Sequence, residues 1–161
     1  ELGLSQLKDQ KLHLKIEIDS NAVEIKPDEI ETFFVNKFEE FFPILVHKKD
    51  VLFAGKISAI LTRPFNKGRD FYDLIWYLSG KVPINLDYLN KRLEQSNTGL
   101  EFQDLKSLFE KLESKVDKLK NAALLTDIEK LIEKRSNLKW LKDYSRVFKE
   151  TSTDYLDQQK S

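Results

Sequence analysis

The sequence contains no cysteine and no methionine, and its five glycines, four prolines and two histidines are scattered. Without cysteine the chain can form neither disulfides nor thiolate metal sites, a composition typical of a reducing compartment. The longest apolar run, Phe41 to Val46, is far too short to span a membrane. These absences predict a cytoplasmic protein with no membrane partner.

Several common kinds of site are also missing. The glycines never cluster into a Walker or dinucleotide phosphate loop, and no Gly-x-Ser-x-Gly elbow marks a nucleophilic serine. His13 and His47 are predicted on different strands, which argues against a histidine metal site. The 27 basic and 27 acidic residues cancel, so a nucleic-acid site would have to be a local patch. The sequence retains two kinds of candidate group, which are carboxylates that could bind a metal ion and basic residues that could bind phosphate.

What is present is sufficient for a folded domain, since the 161 residues are 40% hydrophobic and 11% aromatic. The predicted fold class is α+β. A small, mostly antiparallel sheet of about three to four strands would pack on a predominantly helical C-terminal lobe. Residues 1–48 would form the sheet and residues 49–161 the helical lobe.

Strict alternation predicts the first strand, over Lys11–Asp19, and places Glu17 and Asp19 together on its charged face. Two carboxylates on one side can hold a hard cation such as Mg²⁺, although such a face is more often simply solvated. Further strands are predicted over Val23–Ile25, Ile30–Val35 and Phe42–Val46. The segment from residue 30 to residue 41 also fits a helical stripe, so both interpretations stay open there.

Helical periodicity dominates the remainder. Two helices joined by a short turn are predicted between Leu52 and Leu78. Asn85 is the predicted N-cap of the next helix, which ends near Glu94 before a break at residues 96–99. Three later helices are predicted from apolar stripes, which begin at Phe102, Leu124 and Leu138. Thr126 is a candidate cap.

The predicted helix pair carries an ordered set of charges. Lys56 and Arg63 are seven residues apart and therefore share one face of the first helix. The second helix carries Arg69, Asp70 and Asp73. Singly, these are most simply solvated residues or an exposed Arg69–Asp73 ion pair. Together with the carboxylates of the first strand they suit nucleotide handling, in which cations bind phosphate and carboxylates hold Mg²⁺.

Three segments occur in a specific order: LHLKIEID at Leu12–Asp19, FAGKISA at Phe53–Ala59 and GRDFYDLIWYL at Gly68–Leu78. This ordered set resembles the AbiEii/AbiGii family of toxin nucleotidyltransferases, in the DNA polymerase β-like superfamily. The resemblance implies transfer of a nucleoside monophosphate from an NTP to an acceptor, which in some relatives is tRNA. It further implies Mg²⁺ as cofactor and a cognate antitoxin as partner.

The resemblance also suggests roles for individual residues. Glu17 matches the third metal-site carboxylate, and Lys56 matches the lysine of the AGK helix, which would contact nucleotide phosphate. The expected catalytic residues are Glu17, Lys56, Asp70 and Asp73. The expected substrate-binding residues are Lys56, Arg63 and Arg69, and the expected metal ligands are Glu17 and Asp19.

The N-terminal motif of that family has no counterpart here. It consists of a Gly-Gly or Gly-Ser helix start and an Asp-x-Asp strand, and it supplies two of the three metal carboxylates needed for two-metal catalysis. With the missing initial methionine, this predicts a truncated C-terminal portion that is inactive alone. Two other functions stay open: a non-catalytic helical module that binds a partner, and an RNA-binding domain. The latter would use a basic patch of Lys56, Arg63, Lys67 and Arg69.

Overall fold

The computed structural model describes residue 16, residues 23–129 and residues 135–159. It is an α+β fold in which a two-stranded sheet precedes six helices. The strands are β1 (Ile30–Lys37) and β2 (Glu40–His47). The helices are α1 (Lys49–Thr62), α2 (Gly68–Ser79), α3 (Leu86–Gln95), α4 (Leu105–Val116), α5 (Asn121–Ile128) and α6 (Tyr144–Gln158), with 3₁₀ turns at Pro27–Glu29 and Arg135–Asp143. Within these ranges, no helix combines the length and apolar character that crossing a membrane requires.

β1 and β2 form an antiparallel hairpin whose register runs from Ile30 opposite His47 to Lys37 opposite Glu40. The two residues at its tip, 38 and 39, both have positive φ, at 56° and 66°. A tight two-residue hairpin turn requires this pair of left-handed conformations. The two strands predicted in this region are therefore confirmed, and the helical alternative for residues 30–41 is wrong.

The helices cover little of this hairpin. Phe34, Phe41 and Leu45 are each more than half exposed, and the rings of the two phenylalanines stack on each other with centroids 5.3 Å apart. The base of the hairpin is tied to the preceding turn by the Lys48 N–H, which donates to the Glu29 carbonyl at 3.0 Å. The sheet thus projects from the helical lobe instead of packing on it along its length.

The predicted sheet of three to four strands is larger than the two strands found in the described residues. Val23–Ile25 has no regular secondary structure and leads into the 3₁₀ turn that starts at Pro27, so the strand prediction there is wrong. Proline cannot donate to a strand ladder, which favours a turn at that point. The strand predicted over Lys11–Asp19 lies outside the described residues except for Ile16, which is irregular and 74% exposed.

The core lies between the helices, where α1 packs on α2 and α3, α2 packs on α5 and α6, and α4 packs on α6. Its fully buried side chains include Phe53, Ile57, Phe71, Leu74, Leu78, Leu112 and Phe148. Two tyrosines of α6 fasten this helix to the rest of the core. The Tyr144 hydroxyl donates to the Phe71 carbonyl at 2.8 Å, and the Tyr155 hydroxyl donates to the Val82 carbonyl at 2.9 Å. The apolar stripes of the predicted helix pair are confirmed.

Helix ends follow local side-chain chemistry. Asn85 caps α3, as predicted, because its side-chain oxygen accepts from the Tyr88 N–H at 2.9 Å. The break after α3 uses positive φ at Asn97 (50°) and Gly99 (66°). The predicted cap at Thr126 is wrong, since that residue lies inside α5.

Candidate functional site

The candidate site lies at the edge of the interface between α1 and α2. Lys56 projects from α1, and Arg63 follows directly after the last residue of that helix, as its C-cap. Asp70 and Asp73 project from α2 three residues apart. The buried apolar stripes of both helices fix how the helices cross, so the two cations and the two carboxylates meet from opposite sides. We call these four residues the charged cluster.

Within the charged cluster, the Lys56 ammonium lies 2.7 Å from Oδ2 of Asp73 and 3.6 Å from Oδ1 of Asp70. The Arg63 guanidinium donates to Oδ2 of Asp70. Each oxygen of Asp70 therefore faces a different cation. The Asp70 side chain is only 3% exposed, whereas the other three members of the charged cluster each retain about a third of their exposure.

Asp70 is the residue on which the charged cluster depends. A buried carboxylate without partners would be strongly unfavourable, and here two cations offset the loss of its hydration. Hydrogen bonds between charged partners are also stronger than neutral ones. Since two cations face two carboxylates, the cluster as a whole has no net charge. The carboxylates hold the two cations in place. An outside anion is therefore attracted mainly by those N–H groups of Lys56 and Arg63 that do not face a carboxylate.

Tyr77 lies next to the charged cluster and has no role in the sequence prediction. Its ring stacks on Phe53 with centroids 4.7 Å apart. Burial, and then the Asp73 carboxylate, raise the pKa of Tyr77, while Lys56 lowers it in part. Its hydroxyl consequently stays protonated at neutral pH and adds a neutral polar group beside the two carboxylates.

The start of α2 is fixed by a contact that no local sequence pattern indicates. The Gly68 N–H donates to Oδ2 of Asp127, on α5, at 2.6 Å, and a carboxylate is favourable at a helix N-terminus. A Cβ added at Gly68 would lie 2.7 Å from the Leu124 carbonyl oxygen. Glycine is therefore required for α5 to cross the beginning of α2, and this crossing sets the direction in which Asp70 and Asp73 project.

Among the described residues, one predicted site residue does not join the charged cluster. Arg69 is exposed, and the carboxylate of Asp73 pairs with Lys56 instead of Arg69. The simple Arg69–Asp73 ion pair is thus replaced by a bridge between helices. Glu17 and Asp19 lie outside the described residues.

The described residues do not fit a magnesium ion. In residues 23–129 and 135–159 no three or more His, Asp or Glu side chains are grouped so that they could hold a metal. The carboxylates of the charged cluster are already engaged by cations, whose charge repels a third cation. Magnesium binding by Glu17 and Asp19 stays a prediction from the sequence.

The fold and the charged cluster define an α+β protein in which a lysine of an AGK helix contacts the aspartates of an RDxxD helix. The family model described as "Nucleotidyl transferase AbiEii toxin, Type IV TA system" matches residues 4–158. Because this match spans nearly the whole chain, the chain belongs to that family of toxin nucleotidyltransferases. No match was found among curated proteins or among solved structures.

Proposed function

We propose that this chain contributes the phosphate-contacting side of a nucleotidyltransferase site, in which a nucleoside monophosphate passes from an NTP to an RNA acceptor such as tRNA. The single observation that carries the proposal is the position of Lys56. Its ammonium is oriented by Asp73 and Asp70 at the surface of a chain from a toxin nucleotidyltransferase family.

Lys56 is suited to contact a phosphate. A lysine ammonium has three N–H donors, and the Asp70 oxygen at 3.6 Å is too distant to accept one of them, so Lys56 keeps donors for an outside oxygen. The side chain is 35% exposed. The adjacent Gly55 offers room, since a Cβ added there would meet nothing within 4 Å. A phosphate oxygen can therefore approach α1 at this point and receive a charge-assisted hydrogen bond.

The other members of the charged cluster would act as positioning residues. Asp73 holds Lys56, and Asp70 holds both Lys56 and Arg63. Because the cluster is neutral, a triphosphate would need additional positive charge. We assign this to the exposed Arg69 and to Mg²⁺ bound in the region of Glu17. A cognate antitoxin is the proposed protein partner, in keeping with the toxin–antitoxin description of the family.

The test compares Lys56→Gln with Lys49→Gln, an exposed lysine on the same helix. Binding of a fluorescent ATP analogue to the full chain is measured by anisotropy, and folding is checked by circular dichroism. Loss of an oriented charged hydrogen bond is expected to weaken binding about tenfold in Lys56→Gln, equivalent to about 1.4 kcal/mol, with no change in Lys49→Gln. Equal binding by wild type and a folded Lys56→Gln variant would remove Lys56 from the site.

Transfer itself is assayed separately, as incorporation of labelled NTP into tRNA. The chain alone is proposed to be inactive, because it has no Asp-x-Asp motif, so the binding assay does not depend on turnover. Incorporation by the chain alone that persists in Lys56→Gln would contradict both the proposed inactivity and the proposed role of Lys56.

The RNA-binding alternative based on Lys56, Arg63, Lys67 and Arg69 has less free charge than its sequence indicates. Two of its cations are paired in the charged cluster, and the Lys67 ammonium lies 5.6 Å from the centre of the Phe65 ring. A non-catalytic helical module that binds a partner stays an alternative. Such a module would not bind ATP, so the nucleotide-binding assay distinguishes it from a nucleotidyltransferase.

A further inference from the structure

After its first turn, which holds Lys106 on the acidic side, helix α4 and the turn that follows it carry their charges on separate faces. Between residues 110 and 118 the basic residues recur at i, i+4 and i+7 and are Lys111, Lys115 and Lys118. The acidic residues recur on a different face and are Glu110, Glu113 and Asp117. We call the three lysines the α4 lysine face. An ordinary solvated helix more often mixes its charges so that opposite signs meet at i, i+4.

Two of the three acidic residues, Glu113 and Asp117, are paired with side chains of α6. The Lys149 ammonium lies 3.1 Å from Oε1 of Glu113 and 3.5 Å from Oδ1 of Asp117, and the Ser145 hydroxyl donates to Asp117 at 2.8 Å. By contrast, no member of the α4 lysine face forms an ion pair with a carboxylate in the part of the chain that the structure describes.

The α4 lysine face borders a pocket of about 370 Å³. The opposite wall is the end of α1 and the turn that follows it, represented by Leu61, Pro64 and Asn66. Of the described residues that line this pocket, none is acidic. The Lys115 ammonium reaches the Arg63 carbonyl at 3.5 Å, at the rim.

The electrostatics of this pocket favour an anion. Burial, and then the neighbouring Lys111, lower the pKa of Lys115. Both causes disfavour its positive charge, and the attraction of an anion in the pocket would offset both. The lysine face also runs about 10 Å along the helix axis, from the rise of about 1.5 Å per residue, which suits a chain of phosphates better than a single compact anion.

We propose that the pocket and the α4 lysine face bind the phosphodiester backbone of a nucleic-acid strand. Lysines that contact phosphates position a strand without reading its sequence. The lining residues within the described ranges include no aromatic ring on which a base could stack, so the proposed contact is to the backbone alone. The proposal uses no side chain of the charged cluster and does not depend on nucleotidyl transfer.

The test uses two triple variants that remove equal charge. One is Lys111→Gln, Lys115→Gln and Lys118→Gln, and the control is Lys37→Gln, Lys49→Gln and Lys139→Gln, all exposed and away from the pocket. Binding of a single-stranded RNA oligonucleotide, and separately of ATP, is measured between about 50 and 200 mM salt without Mg²⁺. Since each phosphate contact on a single strand contributes about 0.7 to the slope of log K against log salt, the first variant is expected to flatten the slope by about 2.

The control is expected to keep the wild-type slope, and ATP binding is expected to be equal in all three proteins. Equal RNA slopes in the two triple variants would overturn the proposal, as would a wild-type chain that binds no RNA at low salt. Loss of ATP binding with unchanged RNA binding would overturn it too, because the pocket would then hold a free phosphate compound. If the triple variant does not fold, Lys118→Gln, in the turn after α4, is expected to flatten the slope by about 0.7.

Discussion

Lys56 and Arg63 of the charged cluster each contact carboxylates, whereas the α4 lysine face contacts none in the described residues. Each group spans seven residues, beginning in a helix and ending just past its C-terminus. They differ in what lies opposite: α2 presents Asp70 and Asp73 to α1, while the α4 lysine face looks onto the end of α1 and its turn. A basic residue attracts a polyanion effectively only when no carboxylate of the folded chain already neutralises its charge.

The largest effect expected from this difference is at Asp70. Asp70→Asn should lower the free energy of unfolding by about 2–3 kcal/mol, because it leaves Lys56 and Arg63 without their shared buried partner. This is less than the roughly 3–5 kcal/mol typical of a fully buried pair, since both cations are about a third exposed. Urea denaturation at neutral pH measures the change.

Asp73→Asn is the matched control, because it removes the same charge from a side chain that is 35% exposed. Its expected cost is about 0–1 kcal/mol. If the two variants lose equal stability, burial is not what distinguishes the two carboxylates.

An effect of the opposite sign is expected for the α4 lysine face. The variant with Lys111, Lys115 and Lys118 all changed to Gln should be more stable than wild type by about 0.5 kcal/mol, since it removes like charges at i, i+4 and i, i+3. The gain should vanish in about 1 M salt, where such repulsion is screened. A loss of stability in low salt that disappears in about 1 M salt would mean that the lysines pair with carboxylates, and it would break the comparison.

The smallest expected effect is a change in the pKa of Lys115, followed by NMR titration of its side chain. This pKa is lower in the folded chain than in the unfolded chain. The unfolded chain therefore binds more protons just below the ordinary lysine value, and stability rises with pH through that window. Lys111→Gln should raise the pKa of Lys115 and reduce this rise, and Lys139→Gln should change neither. An unaltered pKa in Lys111→Gln would show that burial alone lowers it.

Much of the helical part could be predicted from the sequence, because burial between helices follows the helical period. Phe53, Ile57, Phe71 and Leu74 are buried as their spacing predicts. The hairpin is harder to predict from the sequence. Its tip residue Phe38 lacks the Asn-Gly pattern that marks such turns. Alternation of apolar residues also cannot show whether the apolar face of a strand is covered by other parts of the chain.

The charged cluster could be predicted only in part. Spacing placed Lys56 and Arg63 on one face, but the pairing of Lys56 with Asp73 depends on how two helices cross. The bond from Gly68 to Asp127 joins residues 59 positions apart, beyond any local pattern. For the α4 lysine face the spacing is visible in the sequence, whereas the lack of a carboxylate partner among the described residues becomes visible only in the fold.

The projecting hairpin has a consequence for the handling of the protein. In the described part of the chain both outer edges of its eight-residue strands are unpaired, and Phe38 at the tip is 95% exposed. Edges of this kind recruit strands from neighbouring copies, although Pro43 removes one donor from β2. Aggregation in concentrated solutions is therefore expected to depend on this hairpin more than on the thermal stability of the helical core.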